Sequence, residues 1–289
     1  MMKKIAVVND LSGFGRCSLT AAISVLSAMG VQACPLPTAV LSAQTGFEGY
    51  HYVSLTQEME SLRKSWEEMG VQFDGIYTGF AADEEQIRHM IRIADTFHKK
   101  KAFLLVDPIM GDNGYQFDLF STEFCRSMRQ LVKKADIVTP NLTELCILTD
   151  TDYRMIESMT DEKHLLTVIR QLAENLRKDG PKTVVVTGIQ FRDNGDGIQK
   201  MGNLAVTGKN SYLAAFPYVG GSYSGTGDLF AAVLSGGLAK GEDLPSTMEL
   251  AGSFIEKAIT DAVNAGVPRD EGIEFEKYLS MLMLSLIHI

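Results

Sequence analysis

No Cys-x-x-Cys pair occurs in these 289 residues, and none of the four cysteines, Cys17, Cys34, Cys125 and Cys146, has histidines nearby at metal-ligand spacing. That argues against a zinc ribbon or a thioredoxin-like redox pair and leaves reduced thiols of a cytoplasmic protein as the expectation. An excess of basic charge is also missing. Lys and Arg number 27 against 36 Asp and Glu, a net charge of −9, so a nucleic acid is not expected as the main partner. The KKK run at 99–101 closes a helical pattern, where cations suit the helix dipole. No stretch of roughly eighteen uninterrupted apolar residues is present, so neither a spanning helix nor a membrane partner is expected. The apolar run in MMKKIAVVND is too short for a secretory signal. The last residues, LSMLMLSLIHI, come nearest to an apolar segment and are expected to form a terminal helix. Residues 284–289 within it resemble translated sequencing adapter and are given no role. His51, His89, His98 and His164 fall in loops or surface patterns and are assigned to packing or solvent.

What is present is an alternation of two periods. The runs at 3–10, 73–80, 102–110, 135–141 and 183–189 are short, β-branched and nearly continuously apolar, as strands buried on both sheet faces require. Between them, 54–70, 83–100, 121–135 and 163–180 place apolar residues at three- and four-residue spacing and predict amphipathic covering helices. Residues 198–218 alternate differently and predict an antiparallel pair at a sheet edge; two helices, 227–240 and 243–264, follow. The fold class expected is α/β, a mostly parallel central sheet with helices on both faces and an antiparallel edge. With no repeat, low-complexity tract or linker, residues 1–283 are expected to form one domain.

Ligands of open parallel sheets gather at the carboxyl ends of the strands, where loops meet helix N-termini. Polar motifs sit at those ends: NDLSGFG at 9–15, DPIMGD at 107–112, TPNLTE at 139–144 and TG at 187–188. Glycines crowd against one aspartate in SGTGD, 224–228, just before the apolar helix LFAAVLSGGLA. Free amides at such a helix start, with the positive end of its dipole, can bind an anion. Asp228 would repel that anion if its role were electrostatic, so it reads as a base taking a proton from an attacking hydroxyl, or else as a plain helix cap. Asp112 also reads as a turn residue, Glu144 as a first-turn carboxylate and Asn141 as a helix cap.

The ordered set NDLSGFG, SAQTGF, TGF, DPIMGD, TPNLTE, VVVTG and SGTGD resembles the ribokinase-like superfamily, and YSGTGDLFAAVL is most similar to its pyridoxal kinase branch. The resemblance implies a ribokinase-like three-layer sandwich and an ATP-dependent kinase acting on the 5′-hydroxymethyl group of a vitamin B6 compound. Asp228 would be the base, and Gly225, Thr226 and Gly227 the anion hole for the transferring phosphoryl. Asp107, Asp112 and Glu144 would organise Mg²⁺, directly or through water. Asn141 and Thr187, with Gly225 and Thr226, would contact the nucleotide, and Thr139 would belong to a monovalent-cation site for K⁺ or Na⁺. Ser12, Gln44, Thr45 and Phe80 would line the vitamer pocket. Gln44 departs from the family's usual histidine, and Phe80 from its usual tyrosine. A neutral amide at position 44 implies tolerance of the pyridoxamine amine. Relatives that phosphorylate hydroxymethylpyrimidine usually carry Cys at the position of Asp228, which favours a B6 substrate. The alternatives are a hydroxymethylpyrimidine or sugar kinase on the same fold and a non-catalytic nucleotide or B6 sensor. Similar enzymes are often homodimers.

Overall fold

The computed structural model describes residues 2–99, 101–117, 120–208 and 210–283. The terminal stretch 284–289 lies outside the described residues. In chain order the elements are β1 (Lys4–Ser12), α1 (Ser18–Ala28), β2 (Gln32–Leu41), β3 (Tyr52–Ser54), α2 (Thr56–Glu68), β4 (Gly75–Thr78), α3 (Glu84–Phe97) and β5 (Phe103–Val106). They continue with β6 (Gly111–Asp112), β7 (Tyr115–Gln116), α4 (Thr122–Lys134), β8 (Ile137–Val138), α5 (Leu142–Leu148), α6 (Tyr153–Glu157) and α7 (Glu162–Lys178). The chain then forms β9 (Thr183–Arg192), β10 (Gln199–Val206), β11 (Ser211–Pro217), α8 (Thr226–Lys240), α9 (Leu244–Ala265) and α10 (Leu279–Met283).

Strands are hydrogen-bonded in the order β11-β10-β9-β8-β5-β4-β1-β2-β3. β1 runs parallel to β2 and β4, and β8 parallel to β9, while β10 is antiparallel to both β9 and β11. The expected α/β class, parallel sheet and antiparallel pair at 198–218 are therefore all present. The chain divides into two compact units, one of residues up to Leu105 together with those from Val219 on, the other Val106–Tyr218.

In the first unit, Ile5, Ala6, Val7 and Val8 of β1 are fully buried, the outcome expected of a strand covered on both faces. α1 packs against β1, β2 and α8. Its sequence, SLTAAISVLSA, has too little polar contrast to show helical periodicity; six of its eleven residues are buried, and small side chains let α8 come close. β2 was hidden by Pro35 and Pro37. Its antiparallel partner β3 pairs only with Ala39, Val40 and Leu41, so on that side the ladder never reaches the prolines. In the second unit, β8 has only two residues, yet its pairing continues past them: the Thr139 amide bonds to the Val106 carbonyl, and Asn141, the α5 cap, is bridged to Thr187 of β9. The β6–β7 hairpin turns through Asn113 and Gly114, both at positive φ (51° and 81°), the arrangement a two-residue type I′ turn demands.

Candidate active site

In the first unit, Asp228 occupies the first turn of α8, three residues past the cap; Gly225 is the cap, at φ 83° and ψ −3°. A Cβ on Gly225 would collide with the Arg16 carbonyl oxygen and stand 3.0 Å from the Cys17 Cα, so both conformation and space demand glycine here. Thr226 donates from Oγ1 to the Tyr223 carbonyl (3.1 Å), while Gly227 is exposed beside it. The plain-cap alternative for Asp228 does not describe its geometry. Its carboxylate is buried, and its Oδ1 accepts from Asn9 Nδ2 (3.0 Å) and Tyr77 Oη (3.3 Å). Burial pushes its pKa up from 3.8 to about 6, the negative Asp10 adds to the rise, and bonds from the Ser18 amide, Asn9 and Tyr77 hold it back. A carboxylate ionising there is charged at neutral pH yet basic enough to take a proton.

Asn9 organises the end of β1. Its Oδ1 accepts from the Asp10 and Phe80 amides (3.0 and 2.8 Å), which turns its amide group toward Asp228. Gly79 makes room: a Cβ there would stand 2.5 Å from Asn9 Nδ2. Ser12 is fully buried and donates to Asp10 Oδ2 (2.7 Å), so its hydroxyl has lone pairs to offer a ligand and no proton. Phe80 is half-buried and Thr45 exposed. Gln44 is buried, and both ends of its amide meet the chain's own backbone: Nε2 donates to the Asp270 carbonyl (3.0 Å) and Oε1 accepts from the Gly46 amide (2.7 Å). Asn9, Asp10, Ser18 and Tyr77 were not singled out from the sequence. The one available signal was Asn-Asp closing an otherwise apolar strand.

The second unit gathers the other expected residues at the ends of β5, β8 and β9. Thr139 Oγ1 donates to Asp107 Oδ1 (2.9 Å), and both are buried. Asn141 and Glu144 form a capping box at the start of α5, each side chain accepting from the other's amide (2.9 and 2.8 Å). The second Glu144 oxygen accepts from the Met110 amide (3.1 Å), and Asn141 Nδ2 donates to the Gly111 carbonyl (2.8 Å). Thr187 is bridged to Asn141 in parallel register, its amide bonded to the Pro140 carbonyl (2.9 Å). Burial raises the Glu144 carboxyl well above its ordinary value, and the negative charges of Asp107 and Asp112 raise it further. Asp112 is half-buried at the start of the hairpin turn.

Among the described residues, no three acidic, His or Cys side chains form an enclosed metal cage. Magnesium does not need one, because it commonly keeps several waters and takes one or two carboxylates beside substrate phosphates. Mutually repelling Asp107, Asp112 and Glu144 fit a cation that arrives with its phosphates. This unit also holds a cavity of about 650 Å³, lined by Arg126, Arg129, Cys125, Cys146, Thr143 and Tyr153 among others; none of the expected site residues borders it.

Comparison with known proteins supplies the context. Residues 15–272 match the family model described as phosphomethylpyrimidine kinase. A Bacteroides thetaiotaomicron protein, provisionally named a phosphomethylpyrimidine kinase and crystallised with pyridoxal, is 37% identical with a TM-score of 0.87, covering 98% of this chain and 96% of that one. Pyridoxal kinase from Lactobacillus plantarum is 26% identical with a TM-score of 0.85, covering 100% and 99%. A Schizosaccharomyces pombe protein, provisionally named a pyridoxal kinase, is 30% identical over 57% of this chain, which spans 46% of that protein's length.

Proposed function

Because the chain belongs to the phosphomethylpyrimidine kinase family, we propose that it is an ATP-dependent kinase of vitamin B6, phosphorylating the 5′-hydroxymethyl group of pyridoxal, pyridoxamine or pyridoxine. The observation that carries this reading is Asp228, a buried carboxylate ionising near pH 6 in the first turn of a glycine-capped helix. Binding alone does not call for a base beside an anion hole, which disfavours the sensor.

In this mechanism Asp228 accepts the proton of the vitamer hydroxyl as its oxygen attacks phosphorus. The bond from the γ-phosphorus to the leaving oxygen breaks, and ADP leaves. Asn9 and Tyr77 hold the carboxylate, and the amides of Gly225, Thr226 and Gly227 neutralise charge on the transferring phosphoryl. Ser12 accepts from a donor on the ring, and Phe80 and Thr45 complete the vitamer pocket. Gln44 shapes that pocket by fixing loop 42–47 to Asp270. On the nucleotide side, Asn141 has an amide hydrogen left after bonding Gly111, and Thr187 a half-buried hydroxyl; both would contact phosphates. Asp107, Asp112 and Glu144 would hold Mg²⁺ directly or through water, with Thr139 beside Asp107 near a site for K⁺ or Na⁺. The metal supplies charge neutralisation for the phosphates.

The family name and its pyrimidine-kinase members favour a second reading, hydroxymethylpyrimidine as the acceptor. ADP production measured with three B6 vitamers, hydroxymethylpyrimidine and a few sugars separates the readings. A higher kcat/KM for a vitamer is expected, and turnover confined to the pyrimidine would overturn the proposal. Among the described residues no helix is long and apolar enough to cross a membrane, and we place the enzyme in the cytoplasm. A homodimer is supported by Val40 and Val53, an exposed cross-strand apolar pair on β2 and β3 at the end of the sheet order.

A further inference from the structure

α9 is capped by Gly266, and before α10 the chain makes a 3₁₀ turn, Arg269–Glu271. The three carbonyls of that turn each accept from a different loop of the first unit. The Arg269 carbonyl takes the Ser224 amide (3.2 Å), the Asp270 carbonyl takes Gln44 Nε2 (3.0 Å), and the Glu271 carbonyl takes the Arg16 amide (3.1 Å). Ser224 opens SGTGD, Gln44 lies in SAQTGF and Arg16 follows NDLSGFG, so the three donors border Asp228, Thr45 and Ser12. Loops distant in sequence are thus tied to three successive peptide units. Ile273 and Phe275, just beyond, are buried and anchor the turn to the core.

The turn closes at Gly272, whose φ of 74° and ψ of 171° fall in a region essentially confined to glycine. Space demands glycine there too. A Cβ would stand 3.0 Å from Arg16 Cβ and 3.1 Å from the carbonyl oxygens of both Arg16 and Ser224. The Arg16 carbonyl is also the group that lies against the Gly225 cap, so one oxygen is packed against a glycine of the turn and a glycine of the anion hole. The Arg16 side chain adds less. Its Nε donates to both Glu276 oxygens (3.0 and 3.1 Å), but Glu276 is exposed, and such pairs contribute little.

We propose that Gly272 is a positioning residue for phosphoryl transfer: by letting the loops at Arg16 and Ser224 close on one turn, it sets the vitamer pocket against the amides of Gly225, Thr226 and Gly227. This rests on the reading of those loops as the vitamer and phosphoryl sites. An alanine would press the two carbonyls outward by a few tenths of an ångström, and small displacements of reacting groups are costly in rate.

The test compares Gly272→Ala with Phe275→Leu, which shrinks a buried side chain of the same segment and leaves the Gly272 contacts alone. Thermal melts are paired with ADP release at saturating ATP, at a temperature where both variants are folded, using the acceptor that the parent turns over best. Both should melt below the parent. Gly272→Ala should lose at least about tenfold in kcat, while Phe275→Leu keeps kcat near the parental value. If Gly272→Ala fails to fold, Pro268→Gly loosens the turn without adding an atom, and its kcat should fall about threefold. Parental kcat in a folded Gly272→Ala or Pro268→Gly enzyme, or an equal loss in Phe275→Leu, would overturn the proposal and leave the kinase reading standing. A parent that uses only hydroxymethylpyrimidine would refute the B6 reading, and the same comparison with that acceptor would still decide the role of Gly272. A parent that turns over no acceptor would overturn both.

Discussion

Replacing Asp228 by Asn should make the protein inactive and, above pH 6, more stable. The carboxyl is buried and its pKa lies at about 6 against an ordinary 3.8. The native state therefore holds its proton more tightly than the unfolded chain does, and stability falls as pH rises between those two values. By about pH 7, a unit above the native pKa, the penalty is complete. Two units correspond to about 3 kcal/mol, with about half of that present at pH 5. Asparagine has nearly the same shape and no charge, so it removes the penalty. It also turns one acceptor into a donor among groups that donate to the native carboxylate, which offsets part of the gain. A net stabilisation of about 1–3 kcal/mol at pH 8 is expected, or roughly 2–8 °C in Tm for a chain of this size, shrinking by about half at pH 5. Turnover with a B6 vitamer should fall about a hundred- to ten-thousand-fold, with ATP affinity retained. Thermal melts at pH 5 and pH 8, paired with ADP release, measure both effects. A Tm change of the same size at both pH values would refute the buried-charge account, and near-parental turnover would refute the assignment of the base.

Three further outcomes follow from the same geometry. Gly225→Ala should lower stability by about 3 kcal/mol or more and raise the KM for ATP, because the new Cβ meets the Arg16 carbonyl while φ stays at 83°; denaturant melts and nucleotide titration check it. Glu144→Gln should raise the Mg²⁺ concentration needed for half-maximal rate more than it raises the KM for vitamer, and an unchanged Mg²⁺ titration would reduce Glu144 to its capping role. Gln44→His should weaken pyridoxal and pyridoxamine alike, since the amide it removes holds Asp270 and Gly46; a changed ratio of kcat/KM between the two would show that residue 44 reads the vitamer directly.

How far the sequence could be read follows from where each interaction begins and ends. The capping box of Asn141 and Glu144 spans three residues, and the hairpin at Asp112 turns on Asn-Gly, so both stand in the local pattern. The glycine before α8 was legible for the same reason. Its second cause, the Arg16 backbone lying against it, was not, because that contact spans more than two hundred residues. The network that sets the ionisation of Asp228 is wholly of this long-range kind: Asn9 lies 219 positions away and Tyr77 lies 151. Tyr77 sits inside a strand as apolar as its neighbours, and nothing in GIYT distinguishes a packing ring from a hydrogen-bond donor. Ser18, at φ 51°, was hidden differently, since left-handed φ is betrayed by glycine or asparagine and serine gives no such warning. Local chemistry thus marks where a reactive carboxylate stands, while its pKa is decided by partners that only the folded sheet brings to it. A chain carrying SGTGD with Asn9 and Tyr77 replaced would keep the motif, and its aspartate would ionise at a different pH. Asn9→Leu provides that case: it removes a donor to Asp228 and orphans the Asp10 and Phe80 amides, so the acid limb of kcat/KM should move up by about one pH unit. A limb left at its parental pH in a folded Asn9→Leu enzyme would mean that the long-range network holds the site together without tuning its base.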